Sequence, residues 1–149
     1  MDEYNSKIGK VSPTTLNYIL IVLILVGVSV FSFMNGPTTN DIRIEEEQFI
    51  ITGYDQTVLP IAYDDITRLE YLDSLPDFGE AVNVAENGKT LSGTYQNEAY
   101  GEYQVHVDTS IDACMLIQTE TVTVLFNIES ADTTKELCKA FDKYIQGIF

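Results

Sequence analysis

The rhythm of hydrophobic and polar positions divides this chain into a membrane-like run, a β-rich middle and a helical end. From Leu16 to Met34 (LNYILIVLILVGVSVFSFM) the run is apolar on every helical face, with no charge, no proline and one amide, Asn17, at its start. Its 19 residues would rise about 28 Å as a helix, close to the roughly 30 Å hydrocarbon core of a bilayer. A soluble helix would show an apolar stripe instead, and the remaining chain is too short to bury such a segment. The pattern predicts a transmembrane helix over 16–34, after a short tail at 1–15. The alternative is a cleaved secretory signal, with Val30 and Ser32 as small residues before the cut. The run exceeds a usual signal core, however, and lacks an A-x-A site.

A breaker-rich linker follows at 35–41, carrying Asn35-Gly36-Pro37, and from residue 42 the period shifts towards that of strands. Phe49–Thr52 and Thr57–Ile61 predict a hairpin around Gly53-Tyr54-Asp55, and Ile66–Leu72 a third strand. Leu75–Gly101, with Pro76, Gly79, Asn87-Gly88 and Gly93, shows little periodicity and reads as a long connection with a short strand near Ala81–Ala85. Long connections of this kind often mark a binding region; a mobile excursion with no role is the equal alternative. Three strands come next. Glu102–Asp108 alternates, with Tyr103, Val105 and Val107 on one face and Gln104, His106 and Asp108 on a polar one. Ala113–Thr119 is apolar enough to be covered on both faces, and Glu120–Ile128 puts Val122, Val124, Phe126 and Ile128 on one side. Short turns between them predict an antiparallel meander. The end is helical: Ser130 or Thr133 can cap it, Thr133 and Glu136 have capping-box spacing, and Leu137, Ala140, Phe141, Tyr144 and Ile145 form one stripe.

Charge narrows the partners. The chain has a net charge of −15, and Lys7 and Lys10 balance Asp2 and Glu3 before the apolar run. All of the excess therefore lies beyond it, from 6 basic and 21 acidic residues. Phosphates would repel such a domain, which argues against nucleic acid and against anionic lipid surfaces. Lys7, Lys10 and the amino terminus outweigh Arg43 across the run, favouring a cytoplasmic tail and an external domain. In that setting Cys114 and Cys138 permit a disulfide; the alternative is two buried thiols acting as small hydrophobes. With no C-x-x-C and no Cys/His cluster, no structural zinc site is expected.

Candidate chemistry is sparse. His106 is the sole histidine, and its place on the polar face of a strand predicts a solvated side chain. No nucleophile-elbow, zinc-protease or phosphate-loop motif is present, so no catalytic residue and no cofactor is assigned. Asp73, Asp77 and Glu80 would meet Asp108 and Asp112 if their loops shared one end of a barrel, offering oxygen ligands to calcium. Scattered surface charge explains them better, and Glu45-Glu46-Glu47 reads as a solvated run guarding a sheet edge. Tyr95, Tyr100 and Tyr103, set among Gly93, Asn97 and Gly101, form a candidate protein-binding patch. Core and rim packing explains them equally well.

Seven or so antiparallel strands closed by one amphipathic helix resembles a bacterial pleckstrin-homology-like (PH-like) domain on a small membrane protein. The likeness is carried by EYQVHVD after Gly101, the ACMLIQT strand, and VTVLFNIESADTTKELCKAF with its Asn127-Ile128 strand end, capped turn and Thr134. Leu59-Pro60-Ile61 and Asp64-Asp65-Ile66 resemble that family's early hairpin and third strand. The resemblance implies a mainly β barrel or sandwich over 42–149 with a C-terminal helix, and implies no chemistry. The basic hairpin loop that binds phosphoinositides in eukaryotic relatives has no counterpart, since Gly53–Thr57 holds Asp55 and no Lys or Arg. The expectation is a single-pass, non-catalytic interaction or assembly module in the cell membrane, protein-binding or self-associating. The alternative is an extracytoplasmic ligand- or metal-sensing domain that uses the long loop and the carboxylates.

Overall fold

The computed structural model describes residues 12, 14, 15, 17, 19–23 and 39–147, in two compact units, Met1–Gly36 and Pro37–Phe149. Most of the expected span at 16–34 lies outside the described residues, as do most of the tail and linker. Asn17 and Ile19–Leu23 are helical, and the side chains of Ile19–Leu23 are 48–63% exposed. Among the described residues, no helix is long and apolar enough to cross a membrane.

The second unit is mainly β, with two sheets and one C-terminal helix. β1 (Asp41–Ile44), β2 (Gln48–Thr52) and β3 (Val58–Ala62) form an antiparallel sheet in the order β1-β2-β3. Glu45–Glu47 lie at the turn between its first two strands. A short 3-10 turn, Tyr63–Asp65, leads to the second sheet. That sheet contains β4 (Arg68–Leu72), β5 (Glu80–Asn87), β6 (Thr90–Asn97), β7 (Gly101–Asp108), β8 (Cys114–Gln118) and β9 (Thr123–Phe126), ordered β4-β8-β9-β7-β6-β5. These strands make two sheets rather than one closed barrel.

Two expectations are corrected. The segment 75–101 is not a long loop: most of it is the β5–β6 hairpin, joined at Gly88-Lys89. Its period-2 signal is hidden because β5 lies at a sheet edge and is mostly exposed, while β6 buries polar Thr90 and Ser92. The last three strands are not a simple meander either. β9 inserts between β7 and β8, parallel to β7 and antiparallel to β8.

Asn127 is the physical reason this insertion holds. Its Oδ1 accepts from Asp108 N at 2.7 Å, and its Nδ2 donates to Asp108 O at 3.0 Å and Ala113 O at 2.9 Å. One buried side chain therefore ties the end of β9 to both ends of the β7–β8 connection. It satisfies backbone groups that a direct β7–β8 ladder would otherwise have paired.

Strand parity gives the second sheet two buried faces. On one face Met115, Ile117, Val124 and Phe126 meet Phe49, Ile51 and Ile61 of the first sheet, and Cys138 and Phe141 of the C-terminal helix, Ala131–Gln146. Phe141 stacks on Phe49 with ring centroids 4.3 Å apart. On the other face Leu91, Tyr103, Val105, Val107, Cys114, Leu116 and Leu125 form a separate cluster. The helix starts where the capping pattern predicts, Ser130 Oγ accepting from Thr133 N at 3.0 Å. Thr134 fastens its first turn to the sheet: its hydroxyl oxygen accepts from Ile128 N, and its single proton is shared between Ser130 O at 2.8 Å and Ile128 O at 3.1 Å. The buried stripe is Thr134, Cys138 and Phe141; Tyr144 and Ile145, expected to be covered, are each 37% exposed.

Two substitutions test this account by urea denaturation. Phe141→Ala should cost about 3–5 kcal/mol by emptying the stack against Phe49. Asn127→Asp is nearly isosteric but turns a donor towards two carbonyls into an acceptor. It should cost about 2 kcal/mol or more, and a loss below 1 kcal/mol would show that the bridge does not hold β9 in place.

Candidate functional site

The densest grouping of chemistry-bearing side chains is formed by Asp55, Ser92 and His106, contributed by the β2–β3 loop, β6 and β7. Ser92 and His106 are opposite each other in the β6–β7 register, and both are fully buried. The face that sequence alternation marks as solvated is therefore partly interior at this point. The β2–β3 loop covers it.

That loop owes its shape to Asp55. Its Oδ1 accepts from Thr57 N at 3.1 Å and its Oδ2 from Thr57 Oγ1 at 2.7 Å, the local hydrogen bonding that makes Asp a turn former. Gly53 lets the loop approach closely. A Cβ there would collide with Ser92 Oγ and stand 2.5 Å from both Asp55 Oδ1 and His106 Nδ1. Asn40 anchors the loop from another side, accepting from Tyr54 N at 2.9 Å and donating to Leu91 O at 3.1 Å.

Proton accounting sets the direction of each bond. The Asp55 carboxylate only accepts, so the single Ser92 hydroxyl proton goes to Asp55 Oδ1 at 2.8 Å. His106 Nδ1, 2.6 Å from Ser92 Oγ, must then be the donor. Ser92 Oγ also accepts from Asp55 N at 3.3 Å. The imidazole is consequently the neutral Nδ1–H tautomer, and its Nε2 is buried with no hydrogen-bond partner among the described residues. Burial pushes the His106 pKa down to about 4, against an upward pull from the Asp55 carboxylate. For Asp55 burial acts upwards, but hydrogen bonds from Thr57 and Ser92 overcome it and hold the group below the ordinary value.

This order of groups is unlike a hydrolase triad. There the imidazole sits between the serine and the carboxylate and takes the serine proton; here the hydroxyl sits in the middle and the imidazole donates to it. The arrangement can brace one sheet against the other, but as placed it activates no nucleophile.

The other candidates separate. Tyr103 is core: it is 2% exposed, its hydroxyl donates to Phe78 O at 2.6 Å, and burial pushes its pKa up to about 12. Tyr95 and Tyr100 are half-buried rim packing, Tyr95 against Phe78 at 5.4 Å and Tyr100 edge-on to Tyr103 at 5.3 Å. The disulfide considered for Cys114 and Cys138 is not formed. Both are free, buried thiols in clusters on opposite faces of the second sheet, and burial pushes them up to about 12 and about 11.

The carboxylates do not converge. Glu80 aligns across β6 with Glu102 at the start of β7, whereas Asp108 ends that strand. Among the described residues, no group of three or more His, Cys, Asp or Glu is placed to hold a metal ion. A cavity of about 280 Å³ lies beside Asn40, Asp41, Thr90, Asp108, Asn127 and Glu129. The sequence singles out His106 as the sole histidine but places it in solvent, marks Asp55 only as a turn former, and carries no signal at Ser92. No protein-family model matches the chain, and neither does any curated protein or solved structure.

The linkage sign at His106 follows from its lowered pKa. The unfolded chain takes up the proton first, so stability is complete above pH 6.5 and declines as pH falls towards 4. The loss over that window should be roughly 3 kcal/mol. Asp55, also lowered, adds its own loss only at more acidic pH, as it becomes protonated. His106→Asn keeps a donor near the Nδ1 position and cannot become charged, so its stability should be nearly flat between pH 6.5 and 4.5. An unchanged acid slope in that variant would place the titrating group elsewhere.

Proposed function

We propose that this chain is a membrane-anchored, non-catalytic interaction module of PH-like type. The observation that carries the reading is the enclosure of Ser92 and His106, neither of which has measurable exposed surface. The serine and the sole histidine of the chain thus serve as a joint between sheets, which favours a binding role over a chemical one. The apolar run at 16–34 supports a single-pass anchor in the cell membrane. The excess of Lys7, Lys10 and the amino terminus on one side supports an external domain.

The PH-like assignment draws support from the two sheets, the C-terminal helix packed on them, and the capped turn between Asn127 and Thr134. The insertion of β9 between β7 and β8 departs from a plain meander. A fold of this kind recruits partners through surfaces and strand edges rather than through a catalytic cleft.

A labelling experiment tests anchorage and orientation together. Because Cys114 and Cys138 are buried, a cysteine introduced by Ser74→Cys at an exposed position is the sole accessible thiol among the described residues. The full chain should remain with membranes after alkaline washing, and Ser74→Cys should react with an impermeant maleimide in intact cells. Labelling only after lysis reverses the orientation; release by alkali removes the anchor.

A further inference from the structure

The four sheet edges are not equally protected. β1 is 4 residues long and carries Asp41 and Arg43; β3 is 5 residues long and carries Pro60; β4 is 5 residues long and carries Arg68 and Glu70. Short length, proline and cations are the usual devices that stop an edge from accepting another strand. β5 runs for 8 residues, EAVNVAEN, with no proline and no cation. Its guards are the carboxylates of Glu80 and Glu86 and one irregularity in the pairing between Ala81 and Asn83, at Val82, which is 50% exposed. From Asn83 to Asn87 the pairing with β6 is regular.

The β5 backbone is also held firmly. A Cβ on Gly93 would collide with Asn83 O and stand 2.6 Å from Val84 Cα, and Gly93 has φ +156. β6 thus uses a residue without a side chain where β5 crosses closely.

Charge identifies the guest. Asp77–Glu102 contains five carboxylates, Asp77, Glu80, Glu86, Glu98 and Glu102, against Lys89 alone. Asp77, Glu80, Glu98 and Glu102 are exposed near the start of β5, beside the β6–β7 turn, and exposed Glu86 lies next to the Gly88-Lys89 turn at its other end. A second copy would bring the same acidic edge, in a chain of net charge −15, against this one, and like charges repel.

We propose that the free edge of β5, over Asn83–Asn87 and flanked by Glu80 and Glu86, is the docking strand for an extended basic peptide segment of a partner protein. The segment adds as a further strand of the second sheet. Main-chain hydrogen bonds supply the attachment, and lysine or arginine on the two faces of the added strand meets Glu86 on one side of the sheet and Glu80 on the other. The proposal rests on the interaction-module reading and names its surface and the chemistry of its partner.

The test uses the full chain in detergent micelles, with backbone amides followed by NMR. The probe is an acetylated nine-residue valine-rich peptide with lysines on both faces of the extended strand. Its controls are the glutamate counterpart and a lysine version N-methylated along one backbone edge. The lysine peptide should shift the amides of 83–87, the glutamate peptide should not bind, and N-methylation should abolish binding. The double variant Glu80→Lys/Glu86→Lys should weaken it at least tenfold. Absence of binding, shifts centred on Glu45–Glu47 or Asp64–Asp65, equal binding by the N-methylated peptide, or dimerisation through β5 would each overturn the proposal. Photoreactive residues replacing Ala85 or Thr121 in native membranes separate this from the broader reading. Adducts at Thr121 alone sink the β5 edge and leave an interaction module, whereas adducts at neither sink both. A sequenced basic segment crosslinked at Ala85 supports both.

Discussion

The Ser92 hydroxyl has one proton, and Asp55 takes it. That constraint fixes the His106 tautomer and makes the imidazole a donor to Ser92. It also closes the joint between the β2–β3 loop and the β6–β7 pair. Hydrophobic burial supplies most of the driving force for packing the two sheets, but it is not directional. The polar joint supplies the direction, because a slip of one residue would leave the imidazole N–H without a partner in the interior and cost Asp55 its bond from Ser92. Gly53 is part of the same constraint, since its missing side chain is what lets the loop reach Ser92 and His106.

Asn127 plays the corresponding role within the second sheet. β9 is parallel to β7 over three paired positions, a short ladder for so central a strand. The Asn127 side chain extends the connection by binding Asp108 and Ala113 beyond the end of the strand. Buried amides and hydroxyls therefore specify which strands are neighbours, while the apolar clusters on the two faces supply stability. The consequence for function is direct. Side chains that look reactive in isolation are occupied in holding the architecture, and exposed carboxylates and a long edge strand lie at its perimeter.

Local signals were legible wherever one face of an element meets water and the other meets the core. The β2–β3 hairpin, the alternation of β7, the doubly covered β8 and the capped helix all follow from period and turn chemistry. The β5–β6 hairpin did not, because an exposed edge strand and a partner that buries Thr90 and Ser92 both break the apolar–polar rhythm. The candidate site was even less legible. Asp55 could be read as a turn former, but nothing local marks Ser92, and His106 alternates with apolar neighbours just as a solvated residue would.

By itself the sequence determined the acidic character, the long apolar run, the β-rich order ending in a helix, and the absence of familiar catalytic motifs. Each depends on composition or on neighbours a few residues apart. Only the tertiary structure decided that β9 lies between β7 and β8, that Cys114 and Cys138 occupy opposite faces, and that His106 is interior. Those outcomes depend on partners 14 to 51 residues away, such as Ser92 for His106, Asp55 for Ser92 and Asn40 for Leu91. Alternation states which side chains share a face of a strand, and another element of the fold determines whether that face is covered.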